Sequence, residues 1–232
     1  MTHTFVIAEC GSCHDNSFTK ALRLIDAAVA AGADAAKFQY WSSAGKLAAR
    51  RGLGPDAKAV YEKYQLPKSW LPNLKEYCDG SGIEFMCTTY LLEDIAQVAP
   101  LVKRFKISAY ESRWTEFVVS HYGYKKPIVI SQNAGYPILD APVNLHYMWC
   151  VSKYPALMED ISYIPITGWK GLSDHTVSTI LGGISVALGA LTIEKHLRLV
   201  DTVGECPDYG HSLDPQDFRT YVSNIREAEL AL

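Results

Sequence analysis

Apolar residues along this chain fall into two alternating patterns. Short dense runs predict eight strands: Phe5–Glu9, Ala35–Gln39, Glu84–Thr88, Phe105–Ile107, Ile128–Ser131, His146–Ser152, Gly171–Asp174 and Leu191–His196. Between them lie stretches whose apolar residues recur every three or four positions, as on one face of a helix. These predict helices from about Leu22 to Ala33, with Gly32 at the stop, then Pro67 to Asp79, Leu91 to Ala99, Trp114 to Tyr122 and Thr176 to Leu188. A last helix runs from Pro215 to Leu230 with Asp214 near its cap. Ser42 to Gln65 reads as a polar loop, longer than connections usually are and so a candidate for function. Gln132 to Pro142 is too short and proline-rich for a full helix, and Asp160 to Gly168 is irregular.

Strands alternating with helices argue for parallel βαβ units. Eight units in 232 residues leave about 29 each, which suits a compact (β/α)8 TIM barrel whose fifth helix is shortened or missing. A doubly wound open sheet is the alternative, but no glycine-rich dinucleotide fingerprint follows any strand. No linker interrupts the pattern, so residues 1–232 read as a single barrel domain.

In a barrel of this kind chemistry gathers at the C-terminal ends of the strands, and here those ends are polar. They carry Glu9, Lys37 and Gln39, Thr88, Lys106 with Glu111 just beyond, Ser131, Ser152 with Tyr154, Ser173 and His175, and Glu194 with His196. Lysine and glutamate are costly to bury unpaired, and independent strands have no packing reason to converge on polar ends. A salt bridge in the barrel rim explains one such residue; a shared site explains the set. His175 and His196 end adjacent strands and can point to one spot, where neutral imidazoles suit a divalent transition ion. Neither has the spacing of a known helical metal motif, so the sequence leaves a metal site open at this point.

Composition narrows the function. Lys and Arg total 22 against 25 Asp and Glu, so no basic excess marks a nucleic-acid partner. No apolar stretch is long enough to span a membrane, and no basic amphipathic run fits a membrane surface. Six cysteines are too few for a disulfide scaffold, and no signal peptide is read at the N-terminus, so a reducing, cytoplasmic setting is expected. Cys10-Gly11-Ser12-Cys13-His14 has the form of a c-type haem attachment site, but without an export signal or a second Cys pair it reads as two free thiols in a loop.

Several strings together give the chain a family likeness. They are Phe5 through His14, Ala27 through Gln39, Phe85-Met86-Cys87-Thr88, Phe105-Lys106-Ile107, Cys150 through Pro155, Gly171 through Thr176, Ile193-Glu194-Lys195-His196, and Pro207-Asp208 with Ser212-Leu213-Asp214-Pro215. In this order they resemble the sialic acid synthase (N-acetylneuraminate synthase) family, over essentially the whole chain. The resemblance implies a (β/α)8 barrel that condenses phosphoenolpyruvate with an amino-sugar aldose, giving a 2-keto sugar acid and phosphate with help from Mn²⁺ or Mg²⁺. It implies His175 and His196 as metal ligands, and Lys37, Thr88 and Lys106 as the phosphoenolpyruvate cluster. Ser131, Ser152 and Ser173 would serve the phosphate and Ser108 would belong to the substrate-binding set, while Glu9, Gln39, Tyr154 and Asp208 would face the acceptor. Glu9, Lys106 and Glu111 would be catalytic, Glu111 as the acid that handles protons.

The chain also departs from the family pattern. Between the Lys-Ile pair and its acid stands Ser108-Ala109-Tyr110 where the family usually has Ser-Gly or Ser-Phe, so one phosphate-binding serine is displaced or missing; Gln132-Asn133-Ala134 replaces the usual start of a fifth helix, and Ser152 stands where some members have Asn. The family's C-terminal antifreeze-like domain is not expected, and a homodimer stays open as the assembly. The rival readings are a related metal-dependent aldolase-type barrel with another substrate, and a catalytically silent barrel subunit.

Overall fold

The computed structural model describes residues 3–133, 141–161 and 169–232. Eight parallel strands close on themselves in sequence order: β1 (Phe5–Gly11), β2 (Ala35–Tyr40), β3 (Glu84–Thr89), β4 (Phe105–Ile107), β5 (Ile128–Gln132), β6 (Leu145–Cys150), β7 (Gly171–Asp174) and β8 (Thr192–His196). The chain is thus an α/β protein with a (β/α)8 TIM-barrel fold. The strands agree with the sequence reading to within a residue or two, because a run buried on both faces has only one way to pair.

Alternation along each strand sorts the side chains into two cores. One parity turns outward against the helices: Val6, Ala8, Ala36, Phe38, Phe85, Cys87, Phe105, Ile107, Ile128 and Ile130 belong to the main cluster. The other parity turns into the barrel. Its lower layer is apolar, with Ile7, Ala35 and Met86 in contact and Phe5 packed on them. One pleat higher stand Glu9, Lys37, Thr88 and Lys106. A dry floor beneath a polar mouth follows directly from this period of two.

The helices are α1 (Phe18–Ala31), α2 (Ala44–Arg50), α3 (Pro55–Lys63), α4 (Trp70–Gly80), α5 (Leu92–Val98), α6 (Thr115–Val119), α7 (Leu181–Ala187) and α8 (Pro215–Leu230). Local chemistry sets their ends. Ser17 caps α1 by accepting from the Lys20 amide, and Gly32 stops it at φ +80°. Asp214 caps α8 through the Gln216 and Asp217 amides, with Pro215 at the first position.

Three expectations are corrected here. The stretch 42–65 is not a loop: it folds into α2, capped by Ser43, and α3, opened by Pro55. Its polar composition hid them, since α3 buries no side chain of its own. The helix expected from Thr176 begins only at Leu181. Asp174 Oδ1 accepts from the Thr176 amide, and the Thr176 and Ser178 hydroxyls accept from the amides of Ser178 and Ile180, turns that compete with helix. Ser152 was expected in the sixth strand, which ends at Cys150. The expected loss of the fifth helix falls largely on 134–140, outside the described residues; residues 141–144 enter β6 without helix. Among the described residues no helix is long and apolar enough to cross a membrane.

Candidate active site

The register of the barrel decides which side chains share its mouth. Glu9 stands level with Lys37 and His196, Thr88 with Gln39 and Lys106, and Ser173 with Glu194. They line a cavity of about 390 Å³. Lys37 Nζ contacts Glu9 Oε2, donates to Thr88 Oγ1 at 2.9 Å and lies 3.4 Å from Glu194 Oε2. Lys106 Nζ donates to Ser131 Oγ at 2.9 Å and lies 3.3 Å from Glu194 Oε1, which also accepts from Ser173 Oγ at 3.2 Å. Gln39 Nε2 donates to Glu9 Oε1 at 3.3 Å. Burial pushes the Glu194 carboxyl up, but Lys106 and Lys37 outweigh it and hold the group at about 2. Burial, reinforced by Lys106 and opposed by Glu194, brings the Lys37 ammonium down to about 8.

Beside β8, the imidazoles of His196 and His211 approach one carboxylate, that of Asp208. Asp208 precedes a single 3₁₀ turn, Tyr209–His211. Its Oδ2 accepts from the Ser12 amide and the Ser12 hydroxyl, both at 2.7 Å. Gly11 makes this approach feasible: its φ is +47°, and a Cβ there would collide with Asp208 Oδ2. Oδ1 is left 3.5 Å from His211 Nε2 and 4.0 Å from His196 Nδ1. Among the described residues both nitrogens are buried without a hydrogen-bond partner.

His175 stands next to them, its ring centroid 5.7 Å from that of His196. Its Nδ1 lies 2.8 Å from the Val151 carbonyl, which can only accept, so Nδ1 carries the proton and Nε2 keeps its lone pair. Tyr154 packs against this ring at 4.3 Å between centroids. Burial pushes His175 down to about 4 and His196 well below the usual imidazole range, so both are neutral near pH 7. Asp208 is held well below the usual carboxylate range, since His211, His196 and the Ser12 amide outweigh its burial.

The outer wall comes from the β2–β3 connection. Arg51, at the end of α2, grips Glu111: Nε and Nη2 donate to Oε1 at 3.1 and 2.8 Å, and Nη2 also to Oε2 at 2.9 Å. Tyr90 and Tyr110 present their rings to the guanidinium at 5.0 Å, and Nη1 donates to the Tyr61 hydroxyl at 3.1 Å. Ser108 Oγ donates to Glu111 Oε2.

Of the residues named from the sequence, Glu9, Lys37, Gln39, Thr88, Lys106, Ser108, Ser131, Tyr154, Ser173, His175, His196 and Asp208 line this one cavity. Two do not. Glu111 is fully buried behind the wall, held by Arg51. Ser152 is past the end of β6, exposed, and donates to Asn133 Oδ1 at 3.1 Å, so its hydroxyl is withdrawn from any phosphate site. Sequence reasoning missed Arg51 and His211, which sit on connections without a motif, and Ser12, whose stretch drew notice only for its cysteines. Glu194 was visible as a polar strand end but was given no role. Cys10 and Cys13 are buried free thiols, and burial raises Cys10 well above the usual range. The Cys10–His14 stretch therefore works here through Gly11 and Ser12, which seat Asp208.

The NeuB family pattern matches residues 24–232. The chain belongs to the NeuB family. Pseudaminic acid synthase of Campylobacter jejuni is 31% identical over 98% of this chain and 74% of its own length. N,N'-diacetyllegionaminic acid synthase of Legionella pneumophila is 29% identical over 98% of this chain and 73% of its own. Among solved structures, the N-acetylneuraminic acid synthetase of Leptospira borgpetersenii superposes with a TM-score of 0.86 at 23% identity, covering 99% of this chain and 85% of that one; at that identity it speaks to the fold.

The mouth of this NeuB barrel suits an anion and a cation together. Arg51 and Glu111 cancel each other, which leaves Lys37 and Lys106 against Glu9, Glu194 and Asp208: one negative charge more than positive. A small dianion needs further positive charge there, and the donor set next to it (the neutral imidazoles of His175 and His196, the ring of His211 and the ionised Asp208 carboxylate) has the chemistry a divalent ion takes.

Proposed function

We propose that the chain joins phosphoenolpyruvate to an N-acetylhexosamine-type aldose, giving a sialic-acid-like 2-keto sugar acid and phosphate, with a divalent ion held at His175 and His196. One observation carries the reading: both lysine ammonium groups meet across Glu194, at 3.4 and 3.3 Å, inside a ring of Thr88, Ser131 and Ser173 hydroxyls. Two buried cations with three hydroxyl donors form a cradle for a small molecule with a carboxylate and a phosphate. The synthases named among its relatives support the same class of reaction.

In this reading Lys37 and Lys106 turn from Glu194 to the donor's anionic groups and orient its C3. Glu9, Gln39 and Tyr154 hold the aldose, with Glu9 accepting from a sugar hydroxyl. The C3–aldehyde bond forms, and the former aldehyde oxygen takes a proton. Water then adds at C2, one of its protons passing to a buried carboxylate, which offsets the proton taken by the aldehyde oxygen; the C2–O bond to phosphate breaks, the remaining hydroxyl proton leaves with the phosphate, and C2 becomes the keto carbon. Glu194, already beside both lysines, is better placed to receive that proton than Glu111, which Arg51 occupies. When bound, a divalent ion would supply Lewis-acid polarisation of the aldehyde oxygen.

Phosphate release from phosphoenolpyruvate tests this, measured with Mn²⁺ across a panel of N-acetylated hexosamines. Release that depends on one acceptor is expected. No release with any acceptor would sink the reading.

A further inference from the structure

His211 was not singled out by any motif, yet the fold brings it into the site. Its ring centroid lies 4.3 Å from that of His196 and 6.1 Å from that of His175, and the latter two are 5.7 Å apart. We propose that His211 and Asp208 join His175 and His196 as ligands of one ion, in a three-imidazole, one-carboxylate site that takes a transition ion such as Mn²⁺, Fe²⁺, Co²⁺ or Zn²⁺ and does not take Mg²⁺. The inference deepens the proposed function and rests on it for the presence of an ion. It moves Asp208 from the acceptor side, where the family resemblance puts it, to the ion.

Two independent observations support it. The first is proximity: one ligand atom from each of His196, Asp208 and His211 lies within 4.8 Å of the others. Two ligands on opposite sides of an ion, each at about 2.1 Å, are roughly 4.2 Å apart, so only a small contraction is needed. The second is orphaned polarity. His196 is 6% exposed and His211 3%, and His196 Nδ1 and His211 Nε2 have no hydrogen-bond partner. Buried ring nitrogens in proteins are satisfied as a rule, and leaving two such groups unpaired side by side costs free energy that a shared ion would remove.

Asp208 is prepared for the same task. Ser12 fixes Oδ2 with two donors and aims Oδ1 at the imidazoles. The Val151 carbonyl fixes the tautomer of His175 in the same way, the usual outer support of a metal-bound histidine. Selectivity follows from ligand type. Mg²⁺ prefers oxygen ligands and keeps most of its waters, whereas a cluster of imidazoles suits the later first-row ions. Two histidines would leave that choice loose, and a third closes it.

The test is Mn²⁺ binding to chelator-stripped protein, followed by the loss of the free-ion electron spin resonance signal and by calorimetry. One Mn²⁺ per chain is expected, not displaced by a thousandfold excess of Mg²⁺. His211→Asn should weaken it by roughly ten- to a hundredfold. Because a buried substitution can disturb folding, the unmodified protein provides a second measurement: electron spin echo modulation from bound Mn²⁺ should show three coupled imidazoles. Two coupled imidazoles, an unchanged affinity in His211→Asn, or ready displacement by Mg²⁺ would each overturn the proposal while leaving the reaction intact. Conversely, protein that holds Mn²⁺ through three imidazoles yet releases no phosphate with any acceptor keeps this inference and overturns the proposed reaction. Protein that binds no Mn²⁺ at all overturns the ion in both.

Discussion

Lys106→Met keeps most of the stem and deletes the charge that, in the proposed reaction, holds the donor. In the free protein Lys106 Nζ is already satisfied by Ser131 Oγ at 2.9 Å and by Glu194 at 3.3 Å. Donor binding exchanges these contacts for others, so the net loss belongs at the lower end of the ~1.5–3 kcal/mol assigned to a hydrogen bond with a charged partner. That corresponds to about ten- to thirtyfold in affinity for phosphoenolpyruvate. Stability falls as well, because a buried carboxylate loses one of two cations. Breaking a buried pair outright costs about 3–5 kcal/mol. Here Glu194 keeps Lys37 at 3.4 Å and Ser173 at 3.2 Å, so a loss of about 1–3 kcal/mol is expected, or a few degrees up to about 12 °C in melting temperature. Calorimetric titration of phosphoenolpyruvate and of the acceptor into folded Lys106→Met protein separates the half-sites. If phosphoenolpyruvate binds with unchanged affinity while the sugar no longer binds, the donor and acceptor sides are reversed and the mechanism built on them fails.

Lys37 gives a pH prediction. Burial first, then Lys106, lowers it to about 8; in the proposed reaction its charged form binds the donor, so kcat/KM for phosphoenolpyruvate should hold below that pH and decline as pH rises through it. A profile flat to pH 10 would refute this role. Arg51→Met should strand the fully buried Glu111 carboxylate; a loss of about 3–5 kcal/mol in denaturant unfolding is expected, and Arg51→Met with Glu111→Gln should recover part of it. Gly11→Ala places a methyl against Asp208 Oδ2 at a positive φ; Mn²⁺ affinity should drop at least tenfold while phosphoenolpyruvate binding to the metal-free protein changes little. Equal Mn²⁺ affinity in the variant would show that Gly11 does not seat Asp208.

The barrel and much of its mouth were legible in the sequence because both rest on short-range periodicity. A strand buried on both faces must be apolar, and a polar residue at its C-terminal end stands out against that background; Glu9, Lys37, Thr88, Lys106, Ser173, His175 and His196 were visible in this way. The ends of α1 and α8 were legible for an equally local reason, since Gly32 and Asp214 act on backbone groups within four residues.

What only the tertiary structure decided lies on the connections, where no period constrains the chain. Composition hid α2 and α3, so nothing pointed to Arg51 closing over Glu111 from sixty residues away. Ser152 seemed part of a strand end, but β6 stops two residues earlier and its hydroxyl leaves the cavity. The Cys10–His14 stretch suggested its thiols, whereas the fold uses Gly11 and Ser12 to receive a carboxylate nearly two hundred residues on. His211 shows the limit most plainly. Three residues after Asp208, on a single 3₁₀ turn, it carries no motif, and only the return of the chain onto the end of β8, where the Leu213 amide donates to the His196 carbonyl, puts its imidazole beside His196. Sequence periodicity determines which face of an element is buried; which buried polar groups meet is set by the register and crossings of elements far apart in the chain, and the chemistry of this barrel depends on those meetings.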